Sequence, residues 1–177
     1  MPIFDHSPLC LVSTDMSIKT LKDIERKNIT IDEYSLKSLP IVAMLKSQYI
    51  SLSKLSTNIS KYSIKNLLTK KGVYGIYETD ETYYLDTQKV NYKIFKPANY
   101  GFDFYGDILF TSQDELRKHP KKVKKFIEAS KRGWNYAFSH IDETIKVILK
   151  KYNTQKFTYD KSIECNLNPH TKWNTFC

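Results

Sequence analysis

Apolar residues recur along this chain in two periods, and the change from one to the other marks out its elements. Pro8 to Ser13 (PLCLVS) is a short unbroken apolar run, the pattern of a buried strand. A turn at Asp15 to Ser17 follows, with Ser17 placed to cap a short helix through Leu21 and Ile24. Asn28 to Ile31 (NITI) is β-branched and predicts a second strand. Beyond it, Glu33 to Ser38 leads into Ile41, Val42, Met44 and Leu45, a helical spacing with Pro40 in the first turn, where the missing N–H costs nothing. A further helix is expected around Ile64 to Leu68, closing on Lys70 and Lys71 with Gly72 as a C-cap.

The alternation continues. Val73 to Tyr77 predicts a strand, Thr79 to Leu85 a short helix, and Tyr92 to Phe95 another strand that stops at Pro97. Phe104 to Thr111 (FYGDILFT) reads as a long strand in which Gly106 marks a bulge or a close backbone approach. Pro120 then opens the clearest helix, where Val123, Phe126, Ile127, Ser130, Trp134, Ala137 and Phe138 form one stripe that places Trp134 in a core. Ile141, Ile145, Ile148, Leu149 and Tyr152 carry a last helix. Strand and helix in turn predict an α/β fold with parallel strands. After Thr158 no period persists, which predicts an irregular tail.

Composition narrows the function classes. With 41% hydrophobic and 14% aromatic residues, the 177-residue chain has material for a core, which excludes wholesale disorder. No run approaches the roughly 18 apolar residues of a membrane span, and the opening MPIFDHSPLCLVS has no secretory pattern. The net charge of +9 comes from scattered lysines, densest at Lys118, Lys121, Lys122, Lys124 and Lys125. On a helix with Val123, Phe126 and Ile127, that run reads as a solvated face, with no nucleic-acid motif beside it. Cys10, Cys165 and Cys177 are far apart, and His6, His119, His140 and His170 lack metal-ligand spacing, so neither a zinc site nor a bound cofactor is expected.

Three strand ends offer polar groups to a ligand, in the manner of α/β folds that bind at the carboxyl ends of strands. They are Asp32, Glu33 and Tyr34 with Ser35 after NITI; Thr79, Asp80 and Glu81 after VYGIY; and Tyr105 with Asp107 around Gly106. His6 and Ser7 add polar groups before the first strand. Tyrosine stacks on a flat ring while a carboxylate accepts from amino groups, a pairing suited to a nitrogen-rich ring. The plainer readings are that the acidic pairs cap helices and that Tyr105 is a core aromatic. Asp107, in an apolar strand, would need a partner if buried. No nucleophile-and-base pair or glycine-rich phosphate loop is visible, so catalysis is not expected.

Residues 100–153 carry a more specific signal. Tyr105, Gly106, Asp107, Leu109 and Phe110, then Pro120, then Gly133, Trp134, Tyr136, Ala137, His140, Glu143 and Tyr152-Asn153 resemble the ungapped C-terminal pattern of solute-binding domains related to thiamine-pyrimidine precursor binding and synthesis. HSPLCLVS resembles that family's hinge strand, IKTLKDIERKNITI the segment after it, IVAMLK its next helix, and VYGIYETDETYYL its "TNEP"-bearing segment. The departures are Arg26 where the family has glycine, and Thr79-Asp80-Glu81-Thr82 in place of "TNEP".

The resemblance implies a periplasmic-binding-protein type II-like α/β fold, one mostly complete lobe plus the C-terminal helices of the other. Residues 1–13 would be a hinge strand and remnant of the first lobe, 14–100 the second lobe, 101–155 the return hinge strand and first-lobe helices, and 156–177 the tail. It further implies a small-molecule ligand, pyrimidine-like and held by lobe closure, a periplasmic setting, and an ABC permease or a fused signalling kinase as partner. Related synthases carry a cysteine-rich motif and a cofactor lysine that this sequence does not show. Two other readings stay open: a truncated remnant that folds but binds nothing, and a basic adaptor for nucleic acid or protein.

Overall fold

The computed structural model describes residues 1–58 and 64–153; the irregular tail expected after residue 155 lies outside them. The chain divides into two units, His6–Phe104 and Met1–Asp5 with Tyr105 onward.

The first unit is built on a five-stranded sheet: β1 (Leu9–Ser13), β2 (Asn28–Thr30), β3 (Ser56–Asn58), β4 (Val73–Tyr77) and β5 (Lys93–Phe95), in the spatial order β3-β2-β4-β1-β5. Every residue of β1 is buried, because helices cover both faces of the sheet and an unbroken apolar run is what such a position requires. Side chains alternate. Leu9 and Leu11 join Ile24, Ile29, Ile41, Met44, Leu45 and Val73 on one face, whereas Cys10 and Val12 join Leu67, Tyr74, Ile76 and Leu85 on the other. The helices supplying these residues are α2 (Leu39–Ser47), α3 (Ile64–Thr69) and α4 (Glu81–Thr87).

The expectation of uniformly parallel strands is corrected. β2 runs parallel to β3 and β4, but β1 is antiparallel to both β4 and β5, so one strand opposes the other four. Periodicity reports which segments are strands and helices; strand direction is set by the order and pairing of the strands, which periodicity does not carry.

Three local readings also change. The turn before β2 is a 3-10 segment, Leu21–Arg26, preceded by Thr20 and not by Ser17. Asp23 accepts from the Lys19 and Thr20 N–H groups there, while Ser17 hydrogen-bonds Asp15. After β2 the chain forms a short α1 (Glu33–Lys37) and restarts at α2, since Pro40 is tolerated only in a first turn. Gly72 does not cap α3: its N–H donates to Thr14 Oγ1 at 3.2 Å and its carbonyl accepts from the Thr14 N–H at 3.0 Å, which ties α3 to β1.

The second unit has three helices, α5 (Gln113–Lys118), α6 (Pro120–Ser139) and α7 (Ile141–Lys151). Ser112 caps α5 by accepting from the Glu115 N–H at 3.1 Å. The expected strand over Phe104–Thr111 is absent: a single antiparallel bridge, Pro2 to Ile108, stands in its place. Ile3 N–H donates to the Asp107 carbonyl and Leu109 N–H to that of Met1, so the segment is extended with a short partner on one side. Gly106 N–H donates to the Phe4 carbonyl and Ser7 N–H to that of Phe104, so the segment has a neighbour but pairs with it irregularly, in one bridge and not a regular ladder. Trp134 is half-buried, edge-on to Phe4 at 5.5 Å and stacked with Phe138 at 5.6 Å. The stripe of α6 exists, yet none of its residues is fully buried.

Candidate ligand-binding rim

The sheet brings four chain segments to one edge of the first unit. β2 and β4 are parallel neighbours, so Asp32 to Tyr34 and Glu78 to Glu81 leave the sheet on the same side. β1 is reversed, with Leu9 opposite Tyr77, so His6 to Pro8 enter at that side too. β5 is reversed again relative to β1, which delivers Lys96 there as well. Glu78 N–H donates to the Pro8 carbonyl at 2.9 Å and closes the rim between β1 and β4.

Local chemistry decides what each rim residue has left to offer. Asp32 is the N-cap of α1, its carboxylate accepting from the Ser35 N–H at 2.9 Å. Burial pushes its pKa up, but hydrogen bonds from Ser35 outweigh this and hold the carboxyl below its ordinary range. Glu33 forms an ion pair with Lys37 one helical turn on. Tyr34 is 90% exposed and Tyr77 is 49% exposed, two aromatic surfaces at one edge. Ser7 Oγ accepts from the Leu9 N–H at 3.4 Å, and His6 pairs with Asp103 at 2.8 Å.

Asp80 and Glu81 part company. Glu81 is buried, and its carboxylate accepts from the Tyr77 N–H at 2.7 Å, bracing the end of β4. Asp80 precedes α4 and makes no side-chain capping bond. Between β4 and β5, Glu78 and Lys96 form an ion pair of which Glu78 is 17% and Lys96 32% exposed. Sequence reasoning missed both residues. Their signal was positional: Glu78 directly follows one strand and Lys96 another, and only the sheet order makes them neighbours.

Five expected site residues, Ser7, Glu33, Tyr34, Asp80 and Glu81, thus belong to one rim. Tyr105 and Asp107 lie in the other unit. Tyr105 is 58% exposed, so it is not a core aromatic. Asp107 is exposed, which removes the requirement that a buried carboxylate find a partner.

Nothing at the rim prepares a nucleophile. Cys10 is buried, its Sγ near the Ile76 carbonyl at 3.7 Å, and burial above all pushes its thiol far above the ordinary value, opposite to an activated cysteine. Among the described residues no three potential metal ligands cluster, and no helix is long and apolar enough to cross a membrane. The basic run is split between two helices: Lys118, the last residue of α5, is held by Asp114, and Lys122 of α6 by Glu115.

The family model described as NMT1/THI5 like matches residues 1–144. The chain belongs to this family. Solved structures similar to this NMT1/THI5-like chain include the alkanesulfonate-binding protein SsuA from Xanthomonas axonopodis pv. citri bound to MOPS, at 12% identity and TM-score 0.56, covering 84% of this chain and 51% of that one. The periplasmic aliphatic sulphonate binding protein SsuA from Escherichia coli matches at 12% identity and TM-score 0.57, covering 85% and 51%. No curated protein matches the sequence. The fold is therefore that of the type II periplasmic binding proteins, a mostly complete lobe with the C-terminal helices of another, and this NMT1/THI5-like chain spans about half the length of the solved proteins it matches.

Proposed function

We propose that this chain is the ligand-holding part of an extracytoplasmic solute-binding protein, one that serves an ABC importer or a sensor kinase and closes its lobes on a small, flat, amino-bearing ring of pyrimidine type. One observation carries the reading: four segments of the His6–Phe104 unit converge on one sheet edge, bringing exposed Tyr34 and Tyr77 together with Glu33 and Asp80. Tyrosine faces stack on a planar ring, and carboxylates accept from its amino groups. The family match and the shared fold support a binding role, and lobe closure supplies the mechanism by selecting a closed population.

The charge at this edge argues for a ligand unlike those named for the SsuA structures. A sulfonate is an anion and draws cations, whereas here Lys96 is held by Glu78 and the rim also carries the carboxyl groups of Glu33, Asp80 and Glu81. The test is thermal unfolding with aminopyrimidines, thiamine and alkanesulfonates. A ligand at about 100 times its dissociation constant adds roughly 2.7 kcal/mol, a rise of several degrees. A shift with aminopyrimidines that Asp80→Asn and Tyr34→Ala abolish supports the proposal. A shift with sulfonates alone replaces the ligand class. A cooperative transition that no compound moves favours the second reading, a chain that folds without holding ligand. That reading has its own support in the exposed apolar face of α6, a binding fold left partly uncovered.

A further inference from the structure

The second unit leaves one backbone edge open beside an apolar groove. Pro2 and Ile108 form an antiparallel bridge in which Ile3 N–H donates to the Asp107 carbonyl at 2.7 Å and Leu109 N–H to that of Met1 at 2.8 Å. The bonds are made by the residues on either side of Ile108. In an antiparallel pair that arrangement points the bridged residue's own N–H and carbonyl away from its partner. The period of two gives Phe110 the same outward direction. Among the described residues no backbone hydrogen bond takes up the N–H or carbonyl of either. Both side chains are exposed, and they border a groove shared with Leu116 of α5 and Val123, Phe126 and Ile127 of α6.

We propose that this edge takes up an extended segment of another polypeptide, apolar at alternate positions and acidic at its ends, added as a further strand beside Ile108 and Phe110. Two observations choose that occupant. The open N–H and carbonyl groups require a backbone: a lipid chain offers neither donor nor acceptor, whereas a strand offers both at the spacing an edge presents, and its alternate side chains reach the groove. Charge then sets the sign. On α6 the groove residue Ile127 has Lys124 three positions before it and Lys131 four after it, neighbours along the same side of the helix. Neither lysine joins an ion pair among the described residues, unlike Lys122, which Glu115 holds. A second copy of this chain would bring its net charge of +9 and the same two lysines against them, and like charges disfavour that pairing.

The test uses the full chain and a fluorescent peptide blocked at both ends, with valine and threonine alternating between pairs of glutamates. The peptide should bind below about 1 mM and slow amide exchange at Ile108 and Phe110, leaving Leu11 and Val12 of β1 as they were. Methylating its backbone nitrogens at the valines, or at the threonines, removes the donors of one edge or the other. One methylated form should therefore bind and the other should not. Lysines in place of the peptide's glutamates, or Lys124→Glu with Lys131→Glu in the chain, should each weaken binding by about three- to tenfold, and the two changes combined should recover most of the loss. No binding at that concentration, equal binding of both methylated forms, or indifference to the charge exchange would each overturn the proposal. So would self-association of the chain that Phe110→Glu abolishes, which assigns the edge to a second copy, or binding to phosphatidylglycerol vesicles that displaces the peptide, which assigns it to a membrane.

Discussion

The two units carry apolar patterns of similar clarity and use them differently. In His6–Phe104, strand residues and helix residues meet from both sides of a sheet, and Leu11, Val12, Ile24, Ile29, Ile41, Met44, Leu45 and Val73 are all sealed from solvent. In the other unit α6 has the longest and most regular stripe in the protein, yet Ile145 of α7 is the one buried residue among the described helices α5 to α7. Phe126 is 60% and Phe110 88% exposed, and together with Ile108, Leu116, Val123 and Ile127 they line an apolar groove of about 400 Å³. Periodicity says which side of an element seeks cover; it does not say that cover is present.

The sharpest way to test this contrast is to remove core volume where the pattern is satisfied. Leu45, fully buried, joins α2 to the Leu9–Leu11 face of β1. Leu45→Ala is expected to cost about 2–5 kcal/mol, the lost transfer energy plus that of a cavity the sheet cannot fill. Urea unfolding followed by amide exchange at β1 and β4 measures it in the right unit. A loss below about 1 kcal/mol would mean that this core is as loosely filled as the α6 face.

A smaller effect is expected from adding volume. A Cβ at Gly75 would lie 2.2 Å from Ile31 Cγ1 and 2.3 Å from its Cδ1, so β4 passes β2 at this point because residue 75 has no side chain. Gly75→Ala should cost about 1–3 kcal/mol as overpacking. The same substitution on an Ile31→Ala background should cost clearly less, since both clashing atoms are then gone. A double-mutant cycle reads the difference, and simple additivity would refute the close approach.

How much of this was legible beforehand follows from the range of the interactions. β1 and β4 could be read because an unbroken apolar run needs no knowledge of neighbours. Glu33 and Asp80 could be read because polar residues just after strands stand at a sheet edge whatever the strand order. Glu78 and Lys96 could not, since they meet only through the β4-β1-β5 arrangement, and the sequence holds no local trace of β1 running against the other strands. The over-reading of Phe104–Thr111 has the same origin: its residues favour a strand, but a strand is a property of two segments.

The next effect down is electrostatic. Asp32→Ala removes the cap of α1 and should cost about 1 kcal/mol near neutral pH, whereas Asp32→Asn, which still accepts from the Ser35 N–H, should cost far less. The sign with pH follows from the direction of the shift. The folded carboxyl is held below its ordinary value, so its contribution is fully present above about pH 4 and is lost as the pH falls through the folded pKa. Stability of the wild type and of Asp32→Ala should therefore converge on acidification. Curves that stay parallel would assign the cost to something other than the charged cap.

The smallest expected effect decides whether the contrast between the units is real. Phe126 lies on the stripe of α6 and would rank beside Leu45 if helical spacing alone set its value. Its exposure says otherwise: a side chain that keeps most of its surface in water has little transfer energy to lose, and a surface substitution of this kind stays within about 0.5 kcal/mol. Alanine also has the higher helix propensity, by up to about half a kcal/mol, which offsets part of whatever packing the ring makes along the groove. Phe126→Ala is accordingly expected to leave amide exchange across α6 nearly unchanged, an order of magnitude in free energy below the Leu45→Ala effect at β1. A cost of about 2 kcal/mol or more would show that the α6 face is covered in solution, and the two units would then differ in what covers them and not in whether they are covered.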